Sequence, residues 1–219
     1  MARLKTAVLI SGRGSNLQAL IDAAAASDYP AEIVCVVSNN PGAGGLKRAA
    51  KAGIATASID HRDFDRRASF EDALHTELIT AGVELICLAG FMRLLTAGFV
   101  ERWPDRIINI HPSLLPSFKG LQTHERVLSE GVRFTGCTVH FVRSEMDAGP
   151  IIVQAAVPVL TDDTADTLAA RVLTAEHRCY PHALRLVAEG RTFIVDETVT
   201  IRQSTSPLGT AINPDDGHR

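Results

Sequence analysis

Apolar positions fall into short, nearly continuous runs separated by stretches with helical spacing. Leu4–Ile10, Ile33–Val37 and Val83–Ala89 are such runs. They predict strands buried on both faces rather than half-exposed ones. Between them, Leu17–Ala26, Leu46–Ala52 and Phe64–Ala81 read as helices. In the last, Phe70, Leu74 and Leu78 repeat at helical spacing, and Gly53 and Gly82 supply C-terminal stops. Ala55–Ile59 predicts a short third strand and Phe99–Trp103 a short helix. Ile107, Ile108 and Ile110 form a β-branched run that ends at Pro112, with Pro116 keeping the next segment out of a helix. Strand and helix thus alternate. The predicted class is α/β, a Rossmann-like, mostly parallel twisted sheet with helices on both faces.

The second half of the chain changes pattern. A helix over Thr123–Ser129 precedes two strands, Thr135–Val142 and Ile151–Leu160, whose linking loop allows an antiparallel C-terminal extension of the sheet. Asp163 is placed to cap a helix from Thr164, kinked or interrupted at Pro181 and stopped at Gly190. Thr192–Ile201 predicts a hairpin or edge strand. Residues 1–202 are expected to form a single domain, and 203–219, polar with Pro and Gly, a flexible tail.

In a parallel sheet, ligands bind beyond the carboxyl ends of the strands. Three features fall there. The first is the turn Ser11-Gly12-Arg13-Gly14-Ser15-Asn16 between a strand and a helix, where free N–H groups and the helix dipole favour an anion. Leu17 breaks the dinucleotide pattern G-x-G-x-x-G, so a single phosphate fits better than a pyrophosphate. The second is the apolar loop Gly90–Leu95. The third is Asn109 and His111, two apart and therefore on one face of their strand. Asp147, in a Gly-containing loop, is the candidate carboxylate to orient and charge His111. Glu176 lies along the apolar stripe Leu168, Val172, Ala175, Cys179, where a carboxylate must be paired or functional. His111, His140 and Asp147 lack the short spacing of a zinc motif, so no metal is expected.

Composition narrows the partners. With 46% hydrophobic and 21% charged residues the chain can bury an ordinary core. A net charge of −3 without a basic block argues against nucleic acid. No apolar run approaches a membrane span, and the N-terminal stretch fails as a signal peptide. Cys35, Cys87, Cys137 and Cys179 form no C-x-x-C, which suits buried free thiols in the cytoplasm.

Taken in order, Ile10-Ser-Gly-Arg-Gly-Ser-Asn16-Leu-Gln-Ala-Leu, Leu88-Ala-Gly-Phe-Met-Arg-Leu-Leu95, Asn109-Ile-His-Pro-Ser-Leu-Leu-Pro116, Thr138-Val-His-Phe-Val142 and Met146-Asp-Ala-Gly-Pro-Ile-Ile152 resemble the phosphoribosylglycinamide formyltransferases. These are folate-dependent enzymes of purine biosynthesis, and the likeness runs from about residue 4 to 190. The Asn-x-His…Asp set alone marks the wider formyltetrahydrofolate hydrolase-like fold; the Ser-Gly-x-Gly-Ser-Asn turn points to this member. The resemblance implies formyl transfer from 10-formyltetrahydrofolate, a co-substrate, to the amine of phosphoribosylglycinamide. It implies Asn109, His111 and Asp147 as the catalytic set. Gly12, Arg13, Gly14, Ser15, Asn16 and Glu176 would contact the nucleotide, and Arg67, Met92, Arg93, Leu94, Leu95 and Asn109 the folate. Arg13 stands where other members often have Asn. A formyl-folate hydrolase would usually carry an extra N-terminal domain, for which the first strand at residue 4 leaves no room. A methionyl-tRNA formyltransferase would call for a basic C-terminal domain. Partners are thus small molecules, with a monomer or homodimer both compatible.

Overall fold

A computed structural model describes residues 2–203 and 213; the expected tail, apart from Gln203 and Asn213, lies outside the described residues. The elements are β1 (Leu4–Ile10), α1 (Ser15–Ala24), β2 (Ala31–Ser38), α2 (Gly44–Lys51), β3 (Ala55–Ser58), α3 (Arg67–Thr80), β4 (Leu85–Leu88), α4 (Ala97–Arg102), β5 (Ile107–His111), α5 (Thr123–Ser129), β6 (Phe134–Phe141), β7 (Ile151–Pro158), α6 (Ala165–Ala188), β8 (Thr192–Val195) and β9 (Thr198–Ile201). Seven strands form one sheet in the order β3-β2-β1-β4-β5-β6-β7. The first five are parallel, while β5–β6 and β6–β7 pair antiparallel, which is the expected extension. β8 and β9 form a separate hairpin whose turn residues, Asp196 and Glu197, both have positive φ.

The apolar runs are apolar because both faces are covered. Along β1, Val8 and Ile10 pack into one layer with Leu17, Leu20, Ala49, Val127, Leu168 and Leu184, on the side of α1, α2, α5 and α6. Ala7 and Leu9 point the other way, to Phe70, Leu74, Leu78, Phe99 and Trp103 of α3 and the α4 segment. The same alternation sets Ile108 and Ile110 of β5 on the first face and Ile107 on the second. All four cysteines are buried and free.

The structure differs from the sequence expectations at two helix features. The third helix begins at Arg67 rather than Phe64, because His61–Asp63 make a 3₁₀ turn capped by Asp60. Thr164, not Asp163, caps α6, in a reciprocal pair with Thr167. Asp163 is held instead by Arg171, at 2.7 Å from each of its carboxylate oxygens. Helix α6 runs through Pro181 to Ala188, with Glu189 as its C-cap just before the expected stop at Gly190. An interior proline costs roughly 3 kcal/mol. Leu184 and Leu186 beyond it are buried, and each such side chain contributes roughly 1.5–3 kcal/mol. Continuing the helix therefore wins.

Candidate active site

The turn after β1 is held from behind by α2. Gly14 takes a left-handed conformation (φ 75°), and a Cβ there would lie 2.7 Å from Gly45 Cα. Gly45 N donates to Gly12 O at 3.0 Å, closing the turn against the second helix. No side chain caps α1 and its first turn carries no acid, so its N-terminal amides keep their affinity for an anion. Arg13 is exposed beside them, and its carbonyl accepts from Arg48 Nε at 2.9 Å. Residues 11–16 line a cleft of about 250 Å³ with Ala89, Gly90 and Met92.

Asn16 turns away from the solvent. Its Nδ2 donates to Glu176 Oε2 at 2.7 Å, and its buried Oδ1 has no partner among the described residues. Glu176 is 6% exposed; burial raises its pKa above the ordinary carboxylate value, and the Asn16 hydrogen bond opposes that shift. An amide oxygen without a donor beside a buried carboxylate is a pair of acceptors suited to an amine or hydroxyl.

Asn109 and His111 sit at the end of β5, opposite His140 and Thr138 of β6. His140 Nδ1 is 2.9 Å from Phe141 O, a carbonyl that can only accept, so the proton is on Nδ1. Burial lowers the His140 pKa and keeps the ring neutral. Its Nε2 is then an acceptor, 3.2 Å from Asn109 Nδ2. That fixes the orientation of the Asn109 amide and leaves it a second N–H to give.

His111 Nδ1 is 3.4 Å from Asp147 Oδ2, and Nε2 is 3.0 Å from Phe118 O. Both ring nitrogens face acceptors, which a ring with two N–H groups satisfies. Asp147 Oδ2 also accepts from Gly120 N at 2.8 Å. Residues Phe118 (φ 56°) and Gly120 (φ 82°), and Asp147 itself (φ 52°), are all left-handed. The two loops that grip the imidazole thus adopt uncommon backbone conformations where they touch it. His111 is only 6% exposed, whereas Asn109 is half-buried.

The expected folate residues are dispersed. Met92 is exposed and lines the cleft of the turn. With Arg93 it also lines a second cleft of about 370 Å³, bounded by Ser11, Asn39, Asn40, His61 and Arg62. Leu94 is exposed, and Leu95 packs on the second core layer. Arg67 is exposed at the start of α3 and lines neither cleft. The link between α3 and the loop is one that sequence reading misses. Glu71, 3% exposed, accepts from Thr96 N at 2.8 Å and from the Thr96 hydroxyl. His140, Phe118 and Gly120 are likewise missed as supports of the catalytic set. Tyr180, fully buried, places its hydroxyl 2.9 Å from Leu88 O and 3.1 Å from Ile108 O, under the ends of β4 and β5.

Comparison with known proteins gives the family of the chain. The formyl transferase family model matches residues 4–184. The chicken trifunctional purine biosynthetic protein adenosine-3 is 56% identical over 86% of this chain, which spans only 19% of that protein's length. Phosphoribosylglycinamide formyltransferase of Escherichia coli strain K12 is 46% identical over 84% of this chain and 87% of its own. The crystal structure of glycinamide ribonucleotide transformylase 1 from Symbiobacterium toebii superposes with a TM-score of 0.89 at 47% identity, covering 91% of this chain and 94% of that one. By the matched span and by fold, the chain belongs to the formyl transferase family.

Proposed function

We propose that this protein transfers the formyl group of 10-formyltetrahydrofolate to the amine of 5'-phosphoribosylglycinamide, a step of purine biosynthesis in the cytoplasm. The observation that carries the reading is one sheet edge that joins an uncapped anion turn, the Asn16–Glu176 acceptor pair and the Asn109/His111/Asp147 group. The first two suit a phosphate and an amine on one molecule. The third suits acyl transfer.

The phosphate sits on the Gly12–Asn16 amides, and Glu176 with Asn16 Oδ1 receives polar hydrogens from the glycinamide end. The folate lies along Met92–Leu95 with Arg67 at its outer end. The amine attacks the formyl carbon, giving a tetrahedral oxyanion. The free N–H of Asn109 and an N–H of His111, exchanged from Phe118 O to the formyl oxygen, stabilise that charge. One C–N bond forms and the bond to folate N10 breaks; the proton lost by the attacking amine is relayed through Asp147 and solvent to N10. Asp147, 3.4 Å from His111 Nδ1, orients the imidazole.

The test is tetrahydrofolate production from 10-formyltetrahydrofolate with and without phosphoribosylglycinamide. Product that needs the nucleotide supports the reading. Product at equal rate without it means hydrolysis and overturns it.

A further inference from the structure

Ser11 belongs to neither ligand set above, yet it lines both clefts. Its backbone N–H donates to Gly90 O at 3.1 Å, and its hydroxyl oxygen accepts from Met92 N at 2.7 Å. The hydroxyl proton goes to Asn39 Oδ1 at 2.5 Å, an oxygen that can only accept. Asn39 is 5% exposed, and its amide nitrogen reaches His61 Nδ1 at 3.2 Å. The direction of the hydroxyl is therefore fixed, and its lone pair is aimed at the Met92 amide. Ser11 also precedes Gly12 directly, so the backbone that would wrap a phosphate is continuous with the residue that pins Gly90 and Met92.

We propose that Ser11 is a positioning residue that couples the two clefts, so that filling the phosphate turn orders the Gly90–Leu95 loop and filling the loop orders the turn. The proposal rests on the functional reading above. Its physical content is shared ordering: the first ligand immobilises Ser11 and Met92, and the second then binds a loop already in place. Reciprocity follows, because each ligand must raise the affinity of the other by the same factor.

The test uses tetrahydrofolate, which carries no formyl group, so both ligands can be bound without turnover. Its dissociation constant is measured by calorimetry with and without saturating phosphoribosylglycinamide, on wild type, Ser11→Ala and Asn39→Ala. The expected result is that the nucleotide tightens tetrahydrofolate binding to wild type by about fivefold or more. The factor falls toward 1 in Ser11→Ala, and Asn39→Ala, which leaves the hydroxyl without its acceptor, lies between. Should the variants fail to fold, amide exchange at Met92 in wild type gives an independent readout: phosphoribosylglycinamide alone must slow it. Equal coupling in wild type and Ser11→Ala, no coupling in a wild type that binds both ligands, or a Met92 amide indifferent to the nucleotide overturns the role of Ser11. A wild type that binds neither ligand overturns the functional reading, and this proposal with it.

Discussion

Asn16 Nδ2 and Glu176 Oε2 meet at 2.7 Å across 160 residues of sequence, joining the turn after β1 to the middle of α6. No basic side chain pairs with Glu176 among the described residues. A carboxylate is thus kept in a buried place by one amide.

That arrangement should trade stability for binding. The folded pKa of Glu176 is raised by burial, so its contribution to stability is full below the ordinary glutamate pKa and is lost as pH rises through the folded value. Glu176→Gln removes the charge and keeps an oxygen for Asn16. Thermal melts near pH 8 should show the Glu176→Gln variant more stable than wild type by about 2–4 °C, equivalent to roughly 1 kcal/mol in a domain of this size. The gap should close as pH falls into the carboxylate range. In the same variant KM for phosphoribosylglycinamide should rise by about tenfold or more, the loss of a charge-assisted hydrogen bond. A variant both less stable at pH 8 and unchanged in KM would contradict the assignment.

The turn itself should fail when Gly14 acquires a side chain. Gly14→Ala forces a Cβ to within 2.7 Å of Gly45 Cα at a positive φ. The turn must then move away from α2. Destabilisation of about 1–3 kcal/mol is expected from the strained backbone alone. Inorganic phosphate should protect wild type against thermal unfolding and should not protect the variant.

The frame of this site is legible in the sequence because it follows from period and punctuation. Continuous apolar runs mean two covered faces, and the turn at 11–16 and the His-Pro end of β5 mark the carboxyl edge. The supports of the site are not legible, because they depend on register and on loop backbone. Asn109 meets His140 only because β5 and β6 pair antiparallel with those two residues opposite. His111 is held by the carbonyl of Phe118, and nothing in the identity of a phenylalanine announces a left-handed residue. Glu71 stands next to Phe70 on its helix and looks like its solvent side; it is buried where Thr96 comes to it. The cap of α6 falls one residue later than expected for a similar reason, since Arg171 claims Asp163.

The His140 prop predicts the acid limb of the activity. Burial depresses the His140 pKa, so its contribution to stability is present above the ordinary histidine value and is lost as pH falls through the folded value. Protonation also turns Nε2 from acceptor into donor, which expels the Asn109 amide. His140→Gln keeps an acceptor for Asn109 without a titrating ring. Its kcat/KM should fall less steeply than wild type on the acid side. His124 and His177 have pKa values lowered by burial too, so a residual acid dependence of stability should remain in the variant. Identical acid limbs in wild type and variant would remove His140 from the account.

Glu71 should act on the folate side alone. Its carboxylate takes both donors of Thr96, and the Thr96 hydroxyl accepts from Phe99 N at 3.3 Å at the start of α4. The far end of the 90–95 loop is therefore tied to the helix that begins with Arg67. Glu71→Ala leaves the partly buried Thr96 N–H without its partner, a loss of about 1 kcal/mol in stability. Glu71→Gln keeps one acceptor and should lose less. If the tie positions the loop, KM for 10-formyltetrahydrofolate should rise by several-fold in Glu71→Ala, KM for phosphoribosylglycinamide should change little, and Glu71→Gln should recover part of the folate effect. A merely structural carboxylate would lower the melting temperature and leave both KM values where they were. The split between the two substrates, measured below the melting transition of each variant, decides between these outcomes.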